Sequence, residues 1–249
     1  MPKVNLNVKL LEVTQDAVNI IYVAYRQCYS SKFAGDLMKV FDGEGLVSQK
    51  GAFIAECVMS GHESPLEHVK FTFALEGVSR VLTHQIVRNR IASYSQQSQR
   101  YVREDDFDFI IPPLIAEDGI LKKEFLIAMK NAQDSYTALM ERFAQLNKKG
   151  ETANQDARFV LPGAAETKIV VTMNCRELLH FFRVNCCARN QWEMRQVASL
   201  FLAFCEGELP SVFLYAGSKC KSLGYCPENK RSCGKYPLKE VFFSTNKST

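Results

Sequence analysis

Apolar residues recur along this chain with two periods, and the switch between them marks out the elements. Val69, Phe71, Phe73 and Leu75 alternate with Lys70, Thr72 and Glu76, which predicts a strand with one buried face. The opening residues, MPKVNLNVKLLEV, alternate in the same way. Helical spacing appears in TQDAVNIIYVAYRQCY, where Ala17, Ile20, Ile21 and Ala24 predict a buried helix with Thr14 or Asp16 as its N-cap. KGAFIAECVMSG predicts a shorter helix stopped by Gly61, so HESPLEH begins just past a helix end. Ser79 is placed to cap a helix through RVLTHQIVR, and NRIASYSQQS after it has too little period for a helix and reads as loop. The clearest helix covers 121–149, with Phe125, Met129, Ala132, Tyr136, Leu139, Phe143 and Leu146 on a stripe for the core or a subunit interface. KIVVTMN predicts a short buried strand, and RELLHFFRVNCCARNQWEMRQVASLFLAFCEGEL is helical with a break near 186–191. Beyond Pro210 a Gly- and Lys-rich tail reads mostly as loop.

Length and composition narrow the class. A chain of 249 residues, 47% hydrophobic, can bury the core of one large domain. The net charge of +4 is spread out, unlike the dense Lys/Arg block of a nucleic-acid arm or a polybasic anchor. No apolar run reaches the roughly 18 residues of a membrane span, and the start lacks a signal-peptide core, so a cytoplasmic protein is expected. Nine cysteines, an odd number that includes the neighbours Cys186 and Cys187, suit reduced thiols. Cys220, Cys226 and Cys233 are spaced by six and seven, without the tight gap of a zinc knuckle, so no metal is expected.

The chemistry concentrates in HQIVRNRIASYSQQSQRYV, where Arg88, Arg90 and Arg100, with Arg103 just beyond, sit among Ser and Gln side chains. Guanidinium forks suit phosphates and carboxylates, while Ser and Gln add neutral contacts. The stretch reads as an anion site. Arg158 in ARFVLP is either a strand-end charge or a second anion contact. His62 and His68 flank ESPLE without a third metal ligand nearby and read as hydrogen-bonding histidines. Arg176, His180 and Arg189 lie near one side of a helix, where salt bridges with Glu177 and Glu193 are the alternative to a ligand. No G-x-S-x-G, P-loop or G-x-G-x-x-G pattern occurs, which removes the simplest hydrolase, phosphoryl-transfer and Rossmann readings. Nor does any cysteine combine a helix N-terminus with a nearby His, the pattern of an activated nucleophile.

Taken together, GHESPLEHVKFTF, SRVLTHQIVRNRIASYSQQSQRYV, ARFVLP, TMNCRELLHFF and QWEMRQVA resemble, in order and spacing over about residues 10–215, the flavin-dependent thymidylate synthases, the ThyX family. The resemblance implies a single α+β domain with a mixed sheet flanked by helices, assembled as a homotetramer, with FAD and dUMP at sites built from several subunits. It implies that NADPH reduces the flavin and that methylenetetrahydrofolate donates the one-carbon unit. It places His62, Ser64, Glu67, Arg88, Asn89, Arg90, Ile91, Gln96, Asn174, Arg176 and His180 at the flavin. It places Gln85, Arg88, Gln96, Gln97, Ser98, Gln99, Arg100, Arg158 and Asn185 at the nucleotide, with Arg88, Ser98 and Asn185 closest to the chemistry. Three positions depart from the family pattern: Asn89 stands for a histidine, Asn185 for an arginine at the pyrimidine, and Asn190 for an alanine. A neutral amide stabilises developing negative charge less well than a guanidinium, so weaker activity on dUMP or a changed pyrimidine substrate is expected. The alternative is a silent paralogue that binds FAD or a nucleotide as a regulatory module. An RNA-binding reading is disfavoured, because only Tyr94 and Tyr101 interleave with the arginines.

Overall fold

The computed structural model describes residues 4–36 and 47–245. The first alternation becomes β1 (Asn7–Val13), followed by helices α1 (Ala17–Cys28) and α2 (Val47–Met59) and a helical turn at Ser64–His68. Next come β2 (Lys70–Ser79), α3 (Arg80–Ile86), β3 (Ala92–Gln96), α4 (Gly119–Gln145) and α5 (Glu151–Ala157). Then β4 (Glu166–Asn174) leads into α6 (Cys175–Asn185) and α7 (Trp192–Glu208). The strands form one antiparallel sheet in the order β1-β2-β4-β3, which makes the fold α+β. Among the described residues the chain divides into two compact units. One comprises residues 4–9, Ala74–Arg88 and Tyr94–Val171, and the other residues 10–36, 47–73, Asn89–Ser93 and 172–245.

In the second unit the buried face of β2 carries Phe71 and Phe73, both fully enclosed. Phe73 stacks on Phe201 of α7 with ring centroids 3.9 Å apart, and Phe71 meets Phe213 edge-on at 5.7 Å. Thr72, on the opposite face of β2, meets Thr172 of β4 at 3.0 Å between hydroxyls. α1 packs on α2 and on the turn at 64–68, burying Ile21, Tyr25, Ile54 and Leu66.

In the first unit α4 supplies the core stripe. Met129 packs with Phe107, Phe109 and Ala165, while Tyr136 and Met140 pack with Ala153 and Ala157. Met140 takes the buried place that the heptad-like spacing predicts for Leu139, because a helix of 3.6 residues per turn drifts off a fixed repeat. Asp118 caps α4 by accepting from the backbone N–H groups of Ile120 and Leu121 at 2.9 and 2.8 Å. Gly77 turns within β2 at φ 67, where a Cβ would lie 2.0 Å from the Asn5 carbonyl oxygen, so no larger residue fits.

Three local expectations change. NRIASYSQQS is not wholly loop, because its middle, Ala92–Gln96, is the edge strand β3. Its Ser and Gln side chains hide the period, and backbone pairing with β4 decides the conformation. Asp16 occupies the N-cap position of α1 at φ 55, but its carboxylate accepts from Asn19 Nδ2 and not from the helix backbone; Thr14 Oγ1 accepts from the Lys70 N–H instead. The tail also holds short helices at Pro210–Phe213, Lys219–Leu223 and Lys239–Thr245. Among the described residues no helix is long and apolar enough to cross a membrane.

Phe201→Ala removes the stacked partner of Phe73 from a fully enclosed site. A loss of about 3–5 kcal/mol in unfolding free energy is expected in urea titrations.

Candidate functional site

Within the first unit, α3, the end of β3 and the segment after α5 enclose a cleft of about 640 Å³. Its lining includes Arg80, Thr83, His84, Gln96, Gln99 and Arg158, with Phe159 and Pro162 on the apolar side. Ser79 ends β2 in an extended conformation and caps α3 through the Leu82 N–H at 3.0 Å, which turns Arg80, Thr83, His84 and Val87 onto one face. The Arg80 N–H bonds the Ala165 carbonyl and the Val81 N–H bonds that of Gly163, fixing the start of this helix against the chain entering β4. The Arg80 guanidinium donates to the Gln97 carbonyl at 3.2 Å. Burial lowers its pKa, an effect opposed by Glu104 and reinforced by Arg158. Burial raises the pKa of Glu104, and Arg80 opposes that shift. The cleft therefore carries two guanidinium groups and two neutral amides.

Of the residues expected at a nucleotide, Gln96, Gln99 and Arg158 line this cleft together. Ser98 and Arg100 are adjacent in chain but engaged locally. Ser98 Oγ accepts from the Arg100 N–H at 3.2 Å, and the Arg100 guanidinium pairs with Glu151 of α5. Asn154, buried beneath them, donates to the Arg100 carbonyl at 3.0 Å. Gln97 points to a different groove, on the sheet face, with Asn7, Lys9, Glu76 and Lys168. Arg88 is exposed at the end of α3, past the Val87 that lines the cleft. Arg80, Thr83 and His84 were not singled out from sequence. The available signal was the cap at Ser79, which fixes the face on which positions one, four and five of the helix fall.

The second unit gathers much of the flavin set. Arg176, in the first turn of α6, pairs with Glu67 and lies 3.9 Å from Glu63, which also accepts from Arg183 at 2.6 Å. Asn174 caps the same helix through the Glu177 N–H at 2.9 Å, and His180 is exposed one turn on. Arg176 thus pairs with acids of the HESPLEH segment, and Arg189 lies 3.6 Å from Glu228 of the tail. His62 meets two tyrosines. Tyr29 Oη lies 3.2 Å from its Nδ1, Tyr25 Oη donates to its carbonyl at 2.5 Å, and both rings stand edge-on to the imidazole. Asn89, Arg90 and Ile91 run between α3 and β3, with Arg90 and Ile91 exposed, and Ser64 opens the turn at 64–68.

Asn185, at the end of α6, is 4% exposed. Its Nδ2 donates to the Phe181 carbonyl at 2.9 Å, and its Oδ1 accepts from Asn190 Nδ2 at 2.7 Å. Two of the departures from the family pattern are therefore a bonded pair. Asn190 Oδ1 in turn accepts from the Gln191 N–H, holding the connection between α6 and α7. Burial raises the thiol pKa of Cys57, Cys175 and Cys205, and pushes that of Cys186 to about 11. None of these four is a ready thiolate.

Comparison with known proteins gives a consistent answer. The family model described as "Thymidylate synthase complementing protein" matches residues 9–211. A flavin-dependent thymidylate synthase of Nitratidesulfovibrio vulgaris is 50% identical over 242 residues, covering 96% of this chain and 99% of that protein. Proteins of the same name from Clostridium tetani and Geobacter sulfurreducens are 44% and 43% identical, each over 92% of this chain and 94% of its own length.

Asn190→Ala leaves the buried Oδ1 of Asn185 without its donor, and is expected to cost about 1–3 kcal/mol in chemical denaturation. Adding Asn185→Leu, which removes the stranded group, recovers much of that loss. Glu104 gives a pH signature. Its folded pKa is raised, so its contribution to stability is complete below the ordinary value of 4.5 and is lost as pH rises through the raised value. Glu104→Gln is expected to flatten that part of the stability profile, measured by melting temperature against pH.

Proposed function

The chain belongs to the family of flavin-dependent thymidylate synthases, and from that premise we propose that it converts dUMP to dTMP by methylation at C5 of the uracil. The reading takes methylenetetrahydrofolate as carbon donor and NADPH as reductant, with bound FAD supplying the redox chemistry between them. The observation that carries it is the cleft in which Arg80 and Arg158 face Gln96 and Gln99. Guanidinium groups suit a nucleotide monophosphate and neutral amides suit a pyrimidine and sugar. We assign the phosphate to Arg158 and the uncharged part of the nucleotide to Gln96 and Gln99, with Ser98 and Arg100 holding the loop beside them. Asn185, enclosed with both ends of its amide engaged, acts on the α6–α7 connection.

For FAD we propose the segments Arg88–Ile91 and Asn174–His180 together with His62, Ser64 and Glu67. Arg88, Arg90 and Arg176 are exposed guanidinium groups suited to a diphosphate. His62, set edge-on between two tyrosines, offers a ring face to a flat heterocycle. The raised thiols agree with chemistry that uses no cysteine nucleophile. A tetramer of identical chains is part of the reading, supported by the exposure of Phe159 (84%) beside the cleft and of Ile91 (67%) in the flavin segment.

Purified protein incubated with FAD, NADPH and methylenetetrahydrofolate is expected to form dTMP from dUMP, and no methylated product from UMP or dCMP, when products are read by mass. Arg158→Ala is expected to raise KM for dUMP about tenfold or more, the loss of one charge-assisted contact. Light scattering is expected to give the mass of four chains. Absence of methylated product together with absence of flavin absorbance on titration with FAD sinks the proposal.

A further inference from the structure

Four hydrogen bonds at the cleft of the first unit close into a ring. Thr83 Oγ1 donates to the Arg80 carbonyl at 3.0 Å. Gln96 Nε2 lies 3.0 Å from Thr83 Oγ1 and 3.3 Å from Thr167 Oγ1. Arg80 Nη1 reaches Thr167 Oγ1 at 3.4 Å and completes the circuit. Thr83 and Thr167 are each 2% exposed, so water does not compete for these groups.

The ring fixes an orientation that atomic positions alone leave open. The two ends of a glutamine amide have nearly the same shape, and only their partners tell them apart. A hydroxyl has a single proton. That of Thr83 is committed to the Arg80 carbonyl, so its oxygen can meet Gln96 only as an acceptor, and the end of Gln96 facing it must be the NH₂. The reversed amide would set lone pair against lone pair. With its nitrogen held between Thr83 and Thr167, Gln96 keeps Oε1 for whatever enters the cleft.

We infer that Thr83 is the positioning residue that sets ligand selectivity, by holding Gln96 so that Oε1 presents a hydrogen-bond acceptor and selects a ligand carrying an imide N–H. Arg80 and Arg158 line the same cleft and only donate, so Oε1 of Gln96 stands as an acceptor beside fixed donors, with the amide of Gln99 also in the lining. An imide, N–H between two carbonyls, is the complement of that set. Uracil and the isoalloxazine ring both carry one. Cytosine sets a lone pair at N3 against Oε1, and an unmatched buried polar contact of that kind is the strongest basis for discrimination. The inference rests on the nucleotide and flavin reading above and adds the direction and the source of its selectivity.

The test titrates FAD-loaded full-length protein with dUMP and with dCMP by calorimetry, and the flavin-stripped protein with FAD by fluorescence quenching. Thr83→Val keeps the shape of the side chain and removes the acceptor. It is expected to lower the dUMP to dCMP affinity ratio about tenfold where the imide is the nucleotide's, or to weaken FAD binding by a similar factor where it is the flavin's. Thr83→Ser keeps the hydroxyl and is expected to restore the wild-type value. Gln96→Met, which removes Oε1 itself, gives the same fall and serves if Thr83→Val does not fold. A folded Thr83→Val or Gln96→Met protein with both values unchanged overturns the inference and leaves the proposed function standing. Wild-type protein that binds neither dUMP nor FAD overturns both.

Discussion

The pairing of β2 with β4 joins residues 89 to 100 positions apart, Gly77 with Glu166 and Thr72 with Thr172, and the candidate residues of each unit are placed by the strand ends that belong to it. Each strand of the pair runs directly into a helix that the last strand residue caps: Ser79 for α3 and Asn174 for α6. The ladder continues into the helix starts, through the Arg80 N–H to the Ala165 carbonyl and the Cys175 N–H to the Val69 carbonyl at 2.8 Å. Strand register and helix phase are thereby coupled. A slip of one residue would turn Phe71 and Phe73 to the other face, and Arg80, Thr83 and Arg176 would turn with them.

Polar groups of the cleft and of the Arg176 cluster are mostly used in pairs and chains. Glu67 and Glu63 share Arg176, Glu151 holds Arg100, and Thr83 and Thr167 both accept from Gln96 beside Arg80. Exposed ion pairs of this kind add little stability, but they restrict where a long side chain can go. For a site whose reaction chemistry comes from a cofactor, orientation is the contribution the protein makes. In the role proposed for it, Thr83 achieves this without charge, since one committed proton decides which end of a glutamine faces the cleft.

The departures at Asn185 and Asn190 take on a different meaning in three dimensions. As isolated letters they suggest the loss of a charged contact at the substrate. In the fold Asn190 donates to the buried Oδ1 of Asn185 at the end of α6, which ties the two residues to the connection between α6 and α7. A change at Asn190 alone leaves the buried Oδ1 of Asn185 without that donor, which is why they are best regarded as a unit.

Much of this was legible in the sequence because it is local. Alternation at Val69–Glu76, the helical stripe of α4, the break between α6 and α7 and the cap at Ser79 follow from side-chain period and short-range hydrogen bonding. Motif order alone pointed to the family. Edge strand β3 was hidden, since Ser and Gln carry no apolar period and only pairing with β4 makes the segment a strand. Tertiary structure alone brought Thr167 to Gln96, 71 positions away, placed Arg80 and Arg158 in one cleft, and turned Asn185 inward. Those contacts depend on strand register and helix phase across long separations, and a linear pattern of residue types does not encode which side chain uses its single proton on which neighbour.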